Sequence, residues 1–334
     1  MKKTFTFDDV LLVPQYSEIM SRKTIDIGSS LSEDKHFELP IISSPMDTIT
    51  ESHMATAMAK SGGLGIIHRY NSPWRQSHEV GLSKVPCGAA VGVTGDYVER
   101  TKQLIDSGAN IICIDVAHGH HALVRHAIKV LRTTFGTAIH IMAGNVATLE
   151  AFNDLADWGA DSIRVGIGGG SICSTRIQTG HGVPTLQSII DCSSSDRPVK
   201  LIADGGIKTS GDIVKALAAG ADFVMLGSLL AGSIETPGES FQKDGVRYKN
   251  YRGMASVEAQ IDWRGHHSSV EGVTHTVPSR GSVRTILSDL ENGIRSGLSY
   301  SGALNLMELR SKAQFIHQTA AGQSESGTHI KTRY

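Results

Sequence analysis

The chain is short of several things that would assign it early to a functional class. Aromatic residues are 5% of its 334 residues, and there are only four cysteines: Cys87, Cys113, Cys173 and Cys192. Four thiols in a chain this long are too few for a disulfide scaffold and fit a reducing, cytoplasmic setting. No apolar run approaches the roughly 18 residues that a membrane helix needs. The opening Met1-Lys2-Lys3-Thr4-Phe5 has no apolar stretch behind its lysines, so no secretory signal is expected. Neither sign of charge dominates: Lys and Arg total 32 and Asp and Glu 33, a net charge of −1. That balance argues against a general nucleic-acid binder and gives no electrostatic case for an anionic membrane surface.

What the chain does have is glycine, 36 residues of it, with 40% apolar content. This is enough for a substantial core and too much for a disordered chain. Short apolar runs alternate with amphipathic stretches. Strands are expected at 39–43, 63–68, 89–93, 110–116, 139–143, 162–165, 201–203 and 223–226. Helical spacing falls between them, as in Leu123, Val124, Ala127, Ile128 and Leu131, and over 52–60 and 149–158. Thr209 and Asp212 stand at capping-box spacing before a helix carrying Ile213, Val214, Leu217 and Ala218. Eight such units with long loops after the strands predict an α/β fold, a (β/α)8 barrel occupying 1–334 as one domain. An open doubly wound sheet is the alternative. The polar tail, about 320–334, is expected to be mobile unless a partner subunit orders it.

The most unusual segment is Gly166-Ile-Gly-Gly-Gly-Ser-Ile-Cys-Ser-Thr-Arg176. Such a run of small residues makes neither a stable helix nor a strand, and it lets backbone amides approach a ligand. A cysteine within it is where a nucleophile would be placed; the alternative is a plain turn with an incidental thiol. The third glycine of a dinucleotide fingerprint is replaced by Ser171. Ala203-Asp-Gly-Gly-Ile207 and Asp222-Phe-Val-Met-Leu-Gly-Ser228 each end an expected strand in glycine. In a barrel, the last two loops of this kind build a phosphate site, with Asp204 suited to a ribose diol. Asp115-Val-Ala-His-Gly-His-His121 invites a metal reading, but it lacks the i, i+4 histidine pair with carboxylate of a helical zinc site. An Asp115 that meets a cofactor or substrate hydroxyl is preferred.

Seven motifs in order carry a resemblance. They are Phe7-Asp-Asp-Val-Leu-Leu-Val-Pro14, Ser43-Ser-Pro-Met-Asp-Thr48, Gly144-Asn145, Gly166 to Arg176, Ala203-Asp-Gly-Gly206, Met225-Leu-Gly-Ser228 and Tyr251-Arg-Gly-Met254. Over nearly its whole length the chain resembles the IMP dehydrogenase / GMP reductase family. The resemblance implies a (β/α)8 barrel, a homotetramer, a purine nucleoside monophosphate as substrate and a nicotinamide cofactor. It makes Cys173 the nucleophile at purine C2 and Thr175 part of the activating machinery. Ser171, Gly205, Gly206, Gly227, Ser228 and Tyr251 match the phosphate end, and Asp204 the ribose. Ser44, Met46, Arg252, Gly253 and Met254 match positions around the base. Asp115, Ala117 and Asn145 match the nicotinamide side. Carbonyls of Gly168, Gly170 and Cys173 match a monovalent-cation site for potassium. Gly169 and Ser174 stand where Pro and Thr are common.

Within the family, the dehydrogenase converts IMP, NAD and water to XMP, and the reductase converts GMP and NADPH to IMP and ammonia. A CBS-domain pair usual in the dehydrogenase is absent between His68 and Ala89. The flap, about 255–272, is short and lacks the dehydrogenase's Arg-Tyr pair. Reductases place a Glu after the Tyr-Arg-Gly-Met motif, and Glu258 is the candidate, offset by one residue. Ser44-Pro-Met-Asp47 and Ala320 to Glu325 look more like the dehydrogenase. The expectation is a GMP reductase using NADPH. The alternatives are an IMP dehydrogenase in which Arg264 activates water, a relative acting on another purine nucleotide, and a nucleotide-binding protein without turnover. An FMN-dependent barrel would share the phosphate pattern but leaves the cysteine loop unexplained.

Overall fold

The computed structural model describes residues 2–327. Eight parallel strands close into a barrel. They are β1 (Ile41–Ser43), β2 (Leu64–Ile67), β3 (Gly88–Val91), β4 (Ile111–Asp115), β5 (His140–Val146), β6 (Ser162–Val165), β7 (Lys200–Asp204) and β8 (Phe223–Leu226). Each pairs with its successor, and β8 closes on β1 in the register Val224↔Ile41, Met225↔Ile42, Leu226↔Ser43. The open-sheet alternative is thereby excluded.

Strands buried on both faces read as continuous apolar runs, which is why β4 and β8 stand out in the sequence. Alternate residues serve two cores. Ile42, Ile66, Ile111, Cys113, Met142, Ile202 and Met225 fill the barrel interior. Ile41, Ile67, Ile112, Ile141, Leu201 and Val224 face the surrounding helices. A hairpin, Ser29–Ser32 with Lys35–Phe37, sits at the end of the barrel where the strands begin. Its Phe37 meets Phe223 edge to face at 5.8 Å, and its Leu31 joins the interior cluster.

The helices packed around the barrel include α1 (Ser52–Lys60), α2 (Pro73–Ser83), α3 (Tyr97–Asp106), α4 (Ala122–Phe135), α5 (Leu149–Trp158), α6 (Thr185–Cys192), α7 (Ser210–Ala218) and α8 (Val283–Tyr300). The capping box before α7 forms with Asp in place of Glu: Asp212 N donates to Thr209 Oγ1, and Thr209 N donates to Asp212 Oδ2.

A three-stranded antiparallel sheet, Phe241–Lys243, Val246–Arg252 and Thr274–Pro278, interrupts the path from β8 to α8. Sequence patterning does not reveal these strands, because their alternation is polar and exposed rather than apolar. The flap springs from this sheet, its two roots paired as Arg252↔Thr274 and Tyr251↔His275. Phe315–His317 pairs with Val10–Leu12, and Ala320–Glu325 is a short helix. Gln318 ties this region down by donating to the carbonyls of Asp8 and Asp9. The remainder of the expected tail, 328–334, lies outside the described residues. Among the described residues, no helix is long and apolar enough to cross a membrane.

Inside the barrel, His140 Nε2 lies 2.8 Å from Ser162 Oγ. Burial pushes the imidazole down to about 4. Between that value and the roughly 6.5 of a free histidine, the unfolded chain binds the proton that the folded chain refuses. Stability therefore falls as pH drops through this window. Urea denaturation between pH 7.5 and 4.5 is expected to show a shallower decline for His140→Gln than for the parent chain.

Candidate active site

The loops following the strands converge on a cavity of about 350 Å³ at the carboxyl end of the barrel, the end where barrels carry their sites. It is lined by Ser44, Met46, Asp115, Ala117, Asn145, Gly168, Gly170, Ser171, Cys173, Thr175, Asp204, Gly205, Gly206, Gly227, Ser228, Tyr251, Gly253 and Met254. Two of the residues expected at the site, Arg252 and Glu258, do not reach it.

The glycine-rich loop leaves β6 with Gly166 at φ +148°, where an added Cβ would stand 1.9 Å from the Asp204 carbonyl. Only glycine lets the loop cross the end of β7 this closely. The loop is then held by the far root of the flap. Ser174 N donates to the Glu271 carbonyl, and Val273 N donates to that of Ile172. A bridge pairs Cys173 with Gly272.

This pairing delivers a carboxylate to the thiol. Cys173 Sγ lies 3.2 Å from Thr175 Oγ1, which donates to Glu271 Oε2 at 2.7 Å. Glu271 thus stands where Glu258 was expected. Glu258 is in the first turn of a separate flap helix, Val257–Arg264, and accepts from Thr274 Oγ1 at 2.7 Å. That bond holds its carboxyl below the usual range. Sequence spacing from Met254 pointed to the wrong side of the flap. The signal for Glu271 was its place in the strand-like return toward Thr274, which antiparallel pairing sets beside the cysteine loop.

Arg252 turns away from the cavity, and its guanidinium bridges Asp47 at 2.7 Å and Asp262 at 2.6 Å. It ties the flap to the loop after β1. Arg264 donates to Gln260 Oε1 at 2.8 Å and does not line the cavity.

At the other end, Gly205 and Gly206 follow β7 with φ +92° and +78°, successive left-handed residues that turn backbone toward an anion. Ser171 Oγ and Tyr251 Oη approach to 3.4 Å beside them. Burial raises the Tyr251 phenol, keeping it protonated and able to donate. The Gly170 carbonyl accepts the Cys173 amide at 3.2 Å.

The wall between these ends holds a charge cluster absent from the sequence reading. Arg164, 6% exposed, donates to Asp115 Oδ1 at 2.6 Å and to Asp204 Oδ2 at 2.8 Å. Burial opposes its charge, but Cys113, Asp204 and Asp115 outweigh that and hold its pKa well above the ordinary value. Asn145 Nδ2 donates to the same Asp204 oxygen and to the Gly166 carbonyl. The clue was a lone charged residue inside the four-residue buried strand β6, which must find partners.

The histidine cluster resolves locally. His120 pairs with Asp154 at 2.8 Å, and His121 caps α4 by accepting from Leu123 N. Among the described residues, no group of His, Cys, Asp or Glu is arranged to hold a metal. Replacing Arg164 by Met leaves two carboxylates at the wall without their cation. Thermal and urea unfolding should report a loss of about 3–5 kcal/mol, partly recovered when Asp115→Asn is added.

Comparison with known proteins agrees with this geometry. A family model described as IMP dehydrogenase / GMP reductase domain matches residues 4–329. An inosine-5'-monophosphate dehydrogenase of Nitrosopumilus maritimus is 33% identical, with 98% of each chain covered. Its aligned span of 469 positions exceeds the 334 residues here, so that relative carries inserted sequence this chain lacks. A GMP reductase of Leishmania major is 32% identical over 97% of this chain and 96% of its own. The crystal structure of a cysteine-to-alanine variant of GMP reductase from Trypanosoma brucei, in complex with guanosine 5'-monophosphate, superposes with a TM-score of 0.95, at 30% identity and 99% coverage of both chains. The chain belongs to the IMP dehydrogenase / GMP reductase family of oxidoreductases.

Proposed function

We propose that the chain is a GMP reductase, which converts GMP, NADPH and protons to IMP, NADP and ammonium. The observation that carries this reading is the hydrogen-bonded series Cys173–Thr175–Glu271. Expelling ammonia from purine C2 requires a nucleophile on carbon and a proton donor at the departing nitrogen. The Cys173 sulfur forms a bond to C2 as the bond from C2 to the amino group breaks. The proton that Cys173 gives up passes along Thr175 and Glu271 and is delivered through the Thr175 hydroxyl to that nitrogen. In a dehydrogenase the flap supplies an arginine for water activation. Here Arg264 is engaged with Gln260, and the guanidinium groups of the cavity wall belong to Arg69 and Arg164.

Gly205, Gly206, Gly227, Ser228, Ser171 and Tyr251 would anchor the 5'-phosphate. Asp204 Oδ1, free of the bonds that engage Oδ2, would meet the ribose. The cofactor side is Asp115, Ala117 and Asn145. Asn145 Oδ1 is buried without a partner, an acceptor that suits a carboxamide N–H. A reduced nicotinamide, when bound, would supply the hydride that C2 receives as its bond to the Cys173 sulfur breaks. The carbonyls of Gly168, Gly170 and Cys173 are the proposed seat of a potassium ion, and a homotetramer is the proposed assembly.

One observation favours a second reading. The Thr175–Glu271 pair, run in reverse, would take a proton from water, which is the need of an IMP dehydrogenase. Absorbance at the reduced-nicotinamide band separates the two. Consumption of NADPH with GMP, with IMP and ammonium formed, is expected. A rise with IMP, NAD and potassium, with XMP formed, would overturn the reductase. Cys173→Ala should abolish turnover. Glu271→Gln should lower kcat by about 10²–10⁴-fold, whereas Glu258→Gln should stay within about threefold of the parent.

A further inference from the structure

Four side chains from three elements form a continuous series of face contacts beside the cavity. Arg69 and Tyr70 follow β2, Trp263 belongs to the flap helix, and Arg100 lies in α3. The Arg69 guanidinium carbon is 5.3 Å from the Tyr70 ring centroid. Tyr70 and Trp263 stack at 5.8 Å with planes 17° apart. The Arg100 guanidinium stands 5.8 Å from the Trp263 centroid. Arg100 is a fixed platform, because it is buried and donates to Gln76 Oε1, the Asn71 carbonyl and Asp96.

The other end of the series is loosely held. Arg69 Nε is buried without a hydrogen-bond partner, and its nearest carboxylate oxygen, Asp115 Oδ2, is 3.7 Å away. Its position therefore depends on the face of Tyr70 and on the Asp115 charge. Arg69 and Tyr70 both line the cavity on the Asp115 side, whereas Trp263 and Arg100 do not. Trp263 is also the one aromatic residue in the flap segment 255–272.

We propose that Trp263 is a positioning residue: by stacking between Tyr70 and Arg100 it seats the flap helix and sets the Tyr70–Arg69 wall against which the nicotinamide cofactor binds. This rests on the reading that the cofactor occupies the Asp115 side. An aromatic stack and a cation–π contact together suggest an effect of about tenfold.

The test uses the full chain as Trp263→Ala, Trp263→Phe and Tyr70→Leu. Trp263→Ala is expected to raise KM for the reduced cofactor about tenfold, with KM for GMP within about twofold. Trp263→Phe should return the cofactor KM to within about threefold of the parent, and Tyr70→Leu should reproduce the alanine phenotype. Equal rises in both KM values, or no change in either, would overturn the proposal. A second measurement needs no turnover. Amide exchange of 257–264 should quicken in Trp263→Ala and Tyr70→Leu, while alkylation of Cys173 by iodoacetamide keeps the parent rate. Unchanged exchange would overturn the latch even if the assigned substrates proved wrong. Absent turnover with normal exchange differences would count against the substrates alone.

Discussion

The site depends on one buried guanidinium. Asp115 and Asp204 end β4 and β7, and both line the cavity. Two carboxylates at one partly desolvated wall repel each other unless a cation stands between them. Arg164 lies on β6 and bridges them with separate nitrogens, a geometry that the planar fork of arginine supplies and lysine does not. Room for it comes from β5: a Cβ at Gly144 would lie 2.6 Å from Arg164 Cβ. The Gly144-Asn145 pair thereby has two tasks. Glycine yields space to the guanidinium, and asparagine adds a neutral donor to the same Asp204 oxygen.

The reactive end has a different kind of support. Cys173 sits on a loop with too many glycines to hold its own shape. Rigidity is imported from the return strand of the flap, through backbone bonds that are indifferent to side chains. The same ladder brings Glu271 to Thr175. Thiol, hydroxyl and carboxylate are therefore brought together by the returning segment of the flap and not by the barrel alone. Arg252 clamps the near root of the flap to Asp47 and Asp262, so both roots are tied to loops of the barrel.

Much of the barrel was legible because parallel strands buried on both faces leave runs such as Ile111–Ile114 and Phe223–Leu226. The turn after β7 was legible because left-handed turns at strand ends demand glycine, as at Gly205 and Gly206. Arg164 was hidden by being one residue in a strand otherwise read for its apolar character. The flap sheet was hidden because Val246–Arg252 and Thr274–Pro278 are largely exposed and carry no apolar alternation. In the linear order Glu271 shows only as part of an extended return toward Thr274, and its meeting with Thr175 depends on that sheet.

The exchange of Glu258 for Glu271 follows from how each is tethered. A carboxylate four residues after Met254 lies on the first turn of a helix, where its place follows the helix axis. Ser256 begins that helix by accepting from Ala259 N, and Thr274 takes up the Glu258 carboxylate from the opposite root. Glu271 instead precedes the strand Thr274–Pro278, its backbone carbonyl accepting from Ser174 N and its amide donating to the Ala255 carbonyl. Those two bonds fix the backbone on either side of its Cα, so the side chain has little freedom except toward Thr175. The carboxylate beside Thr175 is thus placed by backbone bonds on both of its sides, which lets a short flap bring it to the cysteine loop.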